Sequence, residues 1–522
     1  MNRSHVPALL LFLALAAVLL LPFLLQPAPS DLAMRRPAAG GKSDNRSSLI
    51  IVSPHNEAVR YEFERAFRRW HQQNFGMDIT IDWRNIGGTS EIVRYLDGEF
   101  AAAERTGRTG IGIDLFFGGG AYDHAQQARK GHLLSCGVRA RQPEILAETI
   151  IPATFSGEVF YDPLDRWYGC CLSSFGICWN SDALANHGIT APPQQWADLA
   201  NFQFFRLVAL ADPTKSGSIN KAFEMLIQEQ LRAELNARGV AAPGRARAGD
   251  AATTADLAAG WRRAMGLIRR IGANARYFTD SASKVPLDVA QGNAAAGMCI
   301  DFYGRFTSEM VTRNENSPRM NYLTPEGGSS ISVDPISLLR GAPQREFAER
   351  FIDFCLSPKG QLLWNSRVGT PGGPERYALR RLPIRKDMYA PLFLATMSDP
   401  DVAPYAQGQG LTYHATWTAP LFSLIRTLIR AMCIDTHAEL TQAWEAINRG
   451  GSPETCPDAY AAFLALPPNA EYDQALAVTA GQLNNKLTEA RLTREWIIFF
   501  RNQYRQAREL AEKETKQTSN VE

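Results

Sequence analysis

Apolar and polar residues alternate in blocks over the first part of the chain, and the length and spacing of these blocks predict its elements. Residues 48–53, 77–83 and 110–120 contain short runs rich in β-branched and aromatic side chains, which is typical of buried strands. Between them, residues 59–70 and 92–100 carry apolar side chains every three or four positions, which is typical of helices. Strands and helices in alternation predict an α/β fold with a parallel sheet.

The same alternation returns further along, so a second α/β region is expected. The predicted strands cover 173–180, 206–212, 294–304 and 327–339, and the predicted helices cover 218–228 and 345–364. Two regions depart from this pattern. Residues 229–260, rich in Ala, Arg and Gly, predict an exposed helical insertion, and the chain after about Asp399 predicts a helix-rich end.

The first 47 residues predict export and contain no pattern that would build a core. Residues 8–25 form an uninterrupted apolar run in which Pro22 is the one residue that disfavours a helix. A stretch rich in Pro, Gly and Ala follows. This layout is that of a secretory signal, and the run is also just long enough to span a bilayer. A cleaved signal peptide and a retained membrane anchor therefore stay open as alternatives. Either one places the folded part in the periplasm or elsewhere outside the cytoplasm.

The charge balance and the cysteines limit which partners and which metal or disulfide chemistry we expect. Lys plus Arg (55) nearly balance Asp plus Glu (53), so no basic face for nucleic acid is expected. The eight cysteines do not follow metal-ligand spacing and include no CxxC motif. Cys178 and Cys299 lie in apolar runs and should be buried. Cys433 and Cys456 flank a loop-like stretch and form the one disulfide that we predict.

Polar and glycine-rich loops follow five of the predicted strands, and four of these loops lead directly into a helix. In open parallel sheets the ligand binds beyond the carboxyl ends of the strands. Helix N-termini offer unpaired N–H groups and the positive end of a dipole, which suits anions, and glycine allows close approach. Each loop alone is also explained as an ordinary helix cap, but their recurrence predicts a binding cleft. The predicted cleft residues are Ser53, His55, Asn56, Glu57, Gly88, Thr89, Ser90, Gly119, Gly120, Thr214, Lys215, Ser216, Gly217, Ser218, Asp301 and Tyr303.

No catalytic or cofactor motif accompanies these loops. Residues 212–218 (DPTKSGS) contain Lys-Ser but lack the earlier glycine of a phosphate-binding P-loop. Residues 173–176 (SSFG) do not form a nucleophile elbow, and the stretch from His55 to Glu57 lacks the second histidine of a zinc-binding helix. We therefore expect a protein that is not an enzyme and carries no cofactor.

Seven segments, taken in order, resemble the extracellular solute-binding proteins of ABC importers, in the branch labelled as the ferric-iron type. They are LIIVSPHNEAVRYEFERAF, IGGTSEIVRYL, IDLFFGGG, WYGCCLSSFGICWNSDAL, ALADPTKSGSINKAFEMLIQ, AAAGMCIDFYGR and FIDFCLSPKGQLLW. The resemblance spans residues 48 to about 389 and is weaker in 229–260 and after Asp399. It implies the α/β, two-lobed type II periplasmic-binding-protein fold with a hinge, followed here by a helical C-terminal extension.

The resemblance also implies an organisation and a set of partners. The chain is expected to cross between the lobes near 167–173 and to return near 321–324. We expect a monomer that closes around a small molecule or ion and docks on an ABC permease. The predicted division is a signal peptide or anchor with its linker (1–47), the first part of lobe 1 (48–167), lobe 2 (168–324), the return of lobe 1 (325–398) and the C-terminal extension (399–522).

The ligand stays open between two chemistries. Ferric-binding members of the family hold iron with two adjacent tyrosines, helped by a histidine, an acid and a bound anion. Here the candidates are His55, Glu57 and Tyr303, and the chain contains no Tyr-Tyr pair. Related members bind phosphate- or carboxylate-bearing molecules through backbone N–H groups and hydroxyls, which suits the loops better, above all residues 214–218. A membrane-anchored sensor or scaffold with the same fold is the alternative of another class.

Overall fold

The computed structural model describes residues 47–239, 254–407 and 410–519, all within one compact unit, Ser47–Glu522. Of the export segment predicted from the sequence (1–47), residues 1–46 lie outside the described residues, and Ser47 begins the strand Ser47–Val52. Within them, one segment, Ala415–Ile434, is long and apolar enough to cross a membrane, although 67% of its most apolar window is buried inside the protein. A core helix of a globular protein passes the same test of length and composition.

The first sheet has seven strands, and strands are numbered here along the whole chain. Its strands are β1 (Ser47–Val52), β2 (Ile79–Arg84), β3 (Leu115–Phe117), β4 (Leu133–Leu134), β7 (Trp167–Ser173), β13 (Ser332–Leu339) and β14 (Leu382–Pro383). Their order is β14-β7-β13-β3-β1-β2, with β4 beside β13. The three strands β1 to β3 are parallel, as predicted, and β13 is antiparallel to β3.

The second sheet has five strands in the order β10-β9-β11-β8-β12. They are β8 (Phe175–Asn180), β9 (Val208–Ala211), β10 (Ala275–Thr279), β11 (Ala296–Ile300) and β12 (Met320–Leu323). A small hairpin, β5 (Thr154–Phe155) with β6 (Glu158–Val159), stands apart from both sheets. The chain passes from the first sheet to the second between Ser173 and Phe175 and returns between Leu323 and Ser332.

Helices cover both sheets and make up most of the C-terminal region. Up to residue 365 they are Glu57–Phe75, Thr89–Arg105, Ala121–Arg129, Val138–Arg141, Ser181–Asn186, Gly217–Ala237, Thr254–Asn274, Lys284–Ala290, Asp301–Glu315, Arg345–Leu356 and Pro358–Asn365. After it they are Pro391–Leu394, Pro404–Gln407, Ala415–Thr418, Phe422–Ile429, His437–Arg449, Pro457–Leu464, Tyr472–Gln474, Ala480–Gln482 and Lys486–Ser519. This is the predicted two-lobed α/β fold with a helix-rich C-terminal region.

Two hydrophobic cores hold the molecule together. We call the first sheet with its helices lobe 1 and include in it the hairpin β5–β6, whose Phe155 packs on the same core. The second sheet with its helices is lobe 2, and the chain after residue 398 is the extension. The core of lobe 1 includes Phe63 and Trp364. The core of lobe 2 includes Trp196 and is continuous with Trp444 and Trp496 of the extension. From Leu411 onward the extension is therefore built into lobe 2, whereas Val402 and Tyr405 before it pack on the core of lobe 1.

Two local predictions are wrong. The strand predicted for 294–304 ends at Ile300, and Tyr303 lies in the first turn of a helix. The reason is Asp301, whose carboxylate accepts a hydrogen bond from the N–H of Phe302 at 2.8 Å and so favours a helix start. The exposed insertion predicted for 229–260 is wrong for its described part, because the helices there bury apolar side chains such as Leu231.

The predicted disulfide between Cys433 and Cys456 is also wrong. Both cysteines are free and buried, as are all eight cysteines of the chain. The Sγ atom of Cys433 lies against the carbonyl oxygen of Ile268, and that of Cys456 against the carbonyl oxygen of Gly450. Sequence proximity alone placed these two cysteines together, whereas folding buries them among different neighbours.

Candidate ligand cleft

The loops that follow β1, β3, β9 and β11 open into one cleft of about 740 Å³. This is the carboxyl edge of the parallel strands, where ligands bind in open α/β sheets. The wall is formed by lobe 1, by lobe 2 and by part of the extension. The strands of both sheets thus deliver their following loops to the same space.

Four helices of nine or more residues begin at the wall of the cleft. Their N-cap residues, each with its helix, are Asn56 (Glu57–Phe75), Gly88 (Thr89–Arg105), Gly120 (Ala121–Arg129) and Ser216 (Gly217–Ala237). Three of these helices belong to lobe 1 and one to lobe 2. Because the first turn of a helix has N–H groups without partners in the helix, the cleft is surrounded by hydrogen-bond donors and positive dipole ends.

The loop after β9 forms one wall and is shaped by local hydrogen bonds. Asp212 Oδ1 accepts from the backbone N–H of Thr214 at 2.8 Å and from its hydroxyl at 2.7 Å, which closes a tight turn. Ser216 Oγ accepts from the N–H of Ile219 at 3.4 Å as an N-cap and lies 3.1 Å from Ser218 Oγ. The two serine hydroxyls therefore lie together where the helix begins.

Lobe 1 and lobe 2 touch at this loop. A Cβ atom on Gly88 would come within 2.5 Å of the carbonyl oxygen of Lys215, so only glycine allows the two loops to approach as they do. Across the same contact, a Cβ atom on Gly217 would lie 3.3 Å from Cβ of Thr89. The two lobes are therefore in direct contact beside the cleft.

A buried arginine forms the floor of the cleft. The Nη2 atom of Arg381 donates to Asp334 at 2.6 Å and to Ser173 at 2.9 Å, and its guanidinium lies 4.1 Å from the ring centroid of Phe302. Its Nη1 atom lies 3.1 Å from His55 Nε2. An arginine can only donate, so His55 Nε2 accepts this hydrogen bond and the imidazole carries its proton on Nδ1. Burial, followed by the charge of Arg381, lowers the pKa of His55 well below its usual value, which keeps the ring neutral.

A second buried cation in the wall is fully paired. The ammonium of Lys221 lies 2.9 Å from Glu158 and 2.9 Å from Glu224, and 3.7 Å from the ring centroid of Tyr413. Burial acts to lower the pKa of Lys221, but the two carboxylates outweigh it and raise the pKa, so the charge is kept. This group joins lobe 1, lobe 2 and the extension in one network.

The charged groups left over in the wall are mostly cationic. Among the described residues, Arg60, Arg129 and Lys215 line the cleft with no salt bridge or hydrogen bond from their side chains. One acid of the wall, Asp123, has no salt bridge within the described part of the chain, and its carboxylate accepts a hydrogen bond from the backbone N–H of Gly120. Burial raises the pKa of Asp123 to about 6, although Arg426 acts in the opposite direction.

The cleft contains most of the residues chosen from the sequence. Those that line it are His55, Asn56, Gly88, Thr89, Gly119, Gly120, Lys215, Ser216, Gly217, Ser218 and Tyr303. Those that do not line it are Ser53, Glu57, Ser90, Thr214 and Asp301. Each of the five outside the cleft is next in sequence to a residue that lines it.

Most of these excluded side chains already have partners inside the protein. The Ser53 hydroxyl accepts from the N–H of His55 at 3.1 Å, and Ser90 accepts from Arg426. Asp301 is fully buried, and one of its carboxylate oxygens accepts from Arg305 at 2.6 Å. Glu57 is exposed at the start of its helix.

Sequence reasoning missed the floor of the cleft and the part that the extension contributes. Asp334 is the one charged residue of a strand that contains only serines (Ser332 and Ser337) besides apolar residues, and an acid in such a position needs a buried partner. That signal was available in the sequence, but it does not say that the partner is Arg381. No local pattern pointed to Tyr413 and Phe422, which line the cleft from the extension.

The described residues do not assemble the iron ligands suggested by the family resemblance. They contain no group of three or more His, Cys, Asp or Glu side chains arranged to hold a metal ion. Glu57 lies outside the cleft, and the one free nitrogen of His55 carries a proton because the other accepts from Arg381. Burial raises the pKa of Tyr303, which favours the neutral phenol over the phenolate that ferric iron needs.

Two α/β lobes, two crossings and one interlobe cleft define a two-lobed binding protein. A family model, that of the bacterial extracellular solute-binding proteins, matches residues 112–388, which is more than half of the 522-residue chain. The chain belongs to this family. Its members are binding proteins rather than enzymes; they capture solutes outside the cytoplasm and dock on permeases, so the chain is a substrate-binding protein of the ABC-transporter type.

Individual relatives are distant. An uncharacterized protein of Haemophilus influenzae is 22% identical over 260 residues, which are 48% of this chain and 60% of that protein. The chain thus spans about three fifths of the length of that relative. The phosphoglycerate transport regulatory protein PgtC of Salmonella typhimurium is 23% identical over 347 residues, 64% of this chain and 71% of that protein. The periplasmic binding protein AfuA of Actinobacillus pleuropneumoniae, solved with fructose-6-phosphate, is similar with a TM-score of 0.46 at 18% identity over 65% of this chain and 86% of that one.

Proposed function

We propose that this protein captures a small organic anion, bearing a phosphate or a carboxylate, in the interlobe cleft and presents it to a membrane permease. One observation carries the proposal: four helix N-termini meet at a cleft in which three cations lack partners among the described residues. Helix N-termini and unpaired cations both lower the free energy of a bound anion. The charged groups at the floor and in the rest of the wall are already paired within the protein. The helix N-termini and the three cations are therefore the groups available to a ligand.

The size of the cleft supports an organic molecule over a bare inorganic ion. Pockets of roughly 300–1,000 Å³ hold small organic ligands, and this cleft has about 740 Å³. Asp123 adds a single carboxyl group beside the donors, which suits a ligand that also carries hydroxyl groups. The anion would lie against residues 215–218, with the Gly88 and Thr89 loop facing it from lobe 1.

The Salmonella relative supports the same ligand class. Its name gives it a role in phosphoglycerate transport, and phosphoglycerate carries a phosphate, a carboxylate and a hydroxyl on a small skeleton. We therefore choose 3-phosphoglycerate as the first probe. Ferric iron is less well supported, because the candidate ligands His55, Glu57 and Tyr303 do not form a set of anionic oxygen donors.

Calorimetric titration of ligand-free protein tests the proposal. Lys215→Gln combined with Ser218→Ala removes one charge and one hydroxyl from the wall, and charged hydrogen bonds contribute about 1.5–3 kcal/mol each. We expect this double variant to bind 3-phosphoglycerate more weakly by about tenfold or more. Thr214→Ala is the matched control, because that hydroxyl belongs to the same loop but bonds to Asp212 and does not line the cleft.

Two results would contradict the proposal. One is a double variant that binds as tightly as the unaltered protein. The other is tight binding of ferric citrate that is lost in Tyr303→Phe and kept in the double variant, which would establish iron as the cargo. We expect inorganic phosphate to bind more weakly than 3-phosphoglycerate, because the cleft is larger than the bare ion.

A second candidate function is a ligand sensor that keeps the binding fold. The word "regulatory" in the name of the Salmonella relative favours it. Both candidates use the same cleft and differ in the membrane partner. Cross-linking of ligand-loaded protein on intact cells separates them: permease subunits among the products support transport, and a membrane-bound signalling protein supports a sensor.

A further inference from the structure

The extension reaches from the core of lobe 2 to the mouth of the cleft. Four of its residues line the cleft, namely Tyr413, Ala415, Ala419 and Phe422. The helix Phe422–Ile429 is held by its apolar face, which includes Leu424 and Leu428 in the core of lobe 2. The cleft therefore has a third wall that is packed onto lobe 2.

The same part of the extension is hydrogen-bonded to the hairpin that precedes β7. The N–H of Tyr413 donates to the carbonyl oxygen of Ser156 at 2.8 Å, and the Ser156 hydroxyl donates to the carbonyl oxygen of Leu411. Gly157 lies against the backbone of Tyr413 so closely that a Cβ atom there would be 2.0 Å from its carbonyl oxygen. Only glycine permits this contact.

On its other side the extension is hydrogen-bonded to the helix Gly217–Ala237 of lobe 2. The Tyr413 hydroxyl donates to Glu224 at 2.8 Å, and Asn220 Nδ2 donates to the carbonyl oxygen of Phe422 at 2.9 Å. Tyr413 is thus bonded to both lobes at once. Its ring lies over the Lys221 ammonium that also pairs with Glu158 of the hairpin.

Two side chains of the helix Phe422–Ile429 cross to lobe 1. The ring of Phe422 lies 4.5 Å from the ring of Tyr122, and Arg426 Nη1 donates to Ser90 Oγ at 3.1 Å. Positions 422 and 426 are one helical turn apart and so project from one face. The face opposite to the core of lobe 2 therefore meets lobe 1 directly beside the helix starts that surround the cleft.

We propose that the extension acts as a latch between the lobes, in which Phe422 and Arg426 hold lobe 1 against lobe 2 and close the cleft. Separation of the lobes at this point breaks the ring contact and the Arg426 hydrogen bond, so both must part before a ligand exchanges. Phe422, as part of the wall, also limits the size of the ligand. The inference uses the cleft of the proposed function but not the identity of its ligand.

Distances between spin labels on the two lobes test the latch in the full chain without ligand. Ala101→Cys on the helix Thr89–Arg105 and Leu287→Cys on the helix Lys284–Ala290 offer exposed attachment sites, and all eight native cysteines are buried. We expect Arg426→Gln to raise the ratio of open to closed molecules about tenfold. Phe422→Ala should do the same. Arg430→Gln is the matched control, because Arg430 pairs with Asp435 inside the extension.

Phe422 is buried and its loss can unfold part of the extension, so Tyr122→Leu removes the same ring contact from the side of lobe 1. Longer distances in Arg426→Gln and Tyr122→Leu, with an unchanged control, support the latch. Distances equal to those of the unaltered protein overturn it, as does equal lengthening in Arg430→Gln. A failure to bind 3-phosphoglycerate would count against the ligand assignment alone, since the label distances are measured without ligand.

Discussion

Asp123 places a carboxyl group among helix starts that favour anions. Its Oδ2 atom lies 3.6 Å from where a Cβ atom on Gly217 would stand and 3.5 Å from the same position on Gly120. Because burial raises its pKa to about 6, the group changes charge within the range of ordinary working conditions. A bound anion beside it raises that pKa further, so binding takes up a proton near and above pH 6.

The titration of Asp123 should therefore lower the affinity for 3-phosphoglycerate as the pH rises through about 6. At about pH 5 Asp123 is mostly neutral, and Asp123→Asn should bind like the unaltered protein. At about pH 7.5 the unaltered protein carries the extra negative charge, and we expect the variant to bind about tenfold more tightly. Titration at both pH values checks this, and the comparison with the variant removes the titration of the phosphate itself. Weaker binding by Asp123→Asn at high pH would show instead that the carboxylate accepts a hydrogen bond from the ligand.

A residue of the cleft could be predicted from the sequence when its immediate sequence neighbours mark its position. Ser216 and Gly217 stand between a strand and a helix, so their position at the sheet edge can be read from a few neighbours. Arg381 lies more than forty residues after its partner Asp334, and nothing near it in the sequence marks it as the floor of a cleft. Glu57 was misplaced for the opposite reason, since the loop was right but the side chain turns to solvent.

At the scale of elements, the sequence predicted whether a segment is a strand or a helix wherever one face of that element is buried. The alternation up to β3 and again from β8 to β11 follows directly from apolar periodicity. The boundaries were less certain, as β11 shows, because an acid at a helix start decided where that strand ends. The position of the extension could not be read, since its helices contact lobe 2 through residues distant in sequence.

One buried side chain fixes a helix of the extension to lobe 2. Arg269 donates to the carbonyl oxygens of Phe463 at 2.6 Å, Leu464 at 2.9 Å and Ala465 at 2.9 Å, where the helix Pro457–Leu464 ends. The last carbonyl groups of a helix have no partner within it, so the guanidinium supplies three donors that they need.

Arg269→Met should therefore lower the free energy of unfolding by about 3–5 kcal/mol, because three buried carbonyl groups lose their donor. Thermal or urea unfolding measures the loss, and amide exchange should speed up first in residues 457–465. Arg263→Met on the same helix is the control, since Arg263 is exposed and pairs with Glu234. A surface pair of this kind contributes about 0–1 kcal/mol. Equal losses in the two variants would show that Arg269 has no special role.

At the scale of the whole molecule, the two crossings are where the lobes can rotate. The chain crosses at Ser174, whose hydroxyl lies 3.1 Å from that of Thr324 on the returning segment. Beside it, the N–H of Phe175 donates to Ser329 Oγ at 3.0 Å. We propose that these short, cross-bonded segments form the hinge, since the chain passes between the two sheets there.

Rotation about this hinge would separate the Gly88 and Lys215 loops, which touch in this structure, and would widen the entry to the cleft. Without ligand the lobes should therefore spend time apart in solution, and saturating 3-phosphoglycerate should reduce the radius of gyration measured by small-angle X-ray scattering. The double variant Lys215→Gln, Ser218→Ala should reach the same smaller radius only at about tenfold or higher ligand concentration, since it weakens binding without touching the hinge. Thr214→Ala should follow the unaltered protein. An unchanged radius at a ligand concentration that calorimetry shows to be saturating would mean that the lobes do not move, and that the protein is a rigid scaffold around a fixed site.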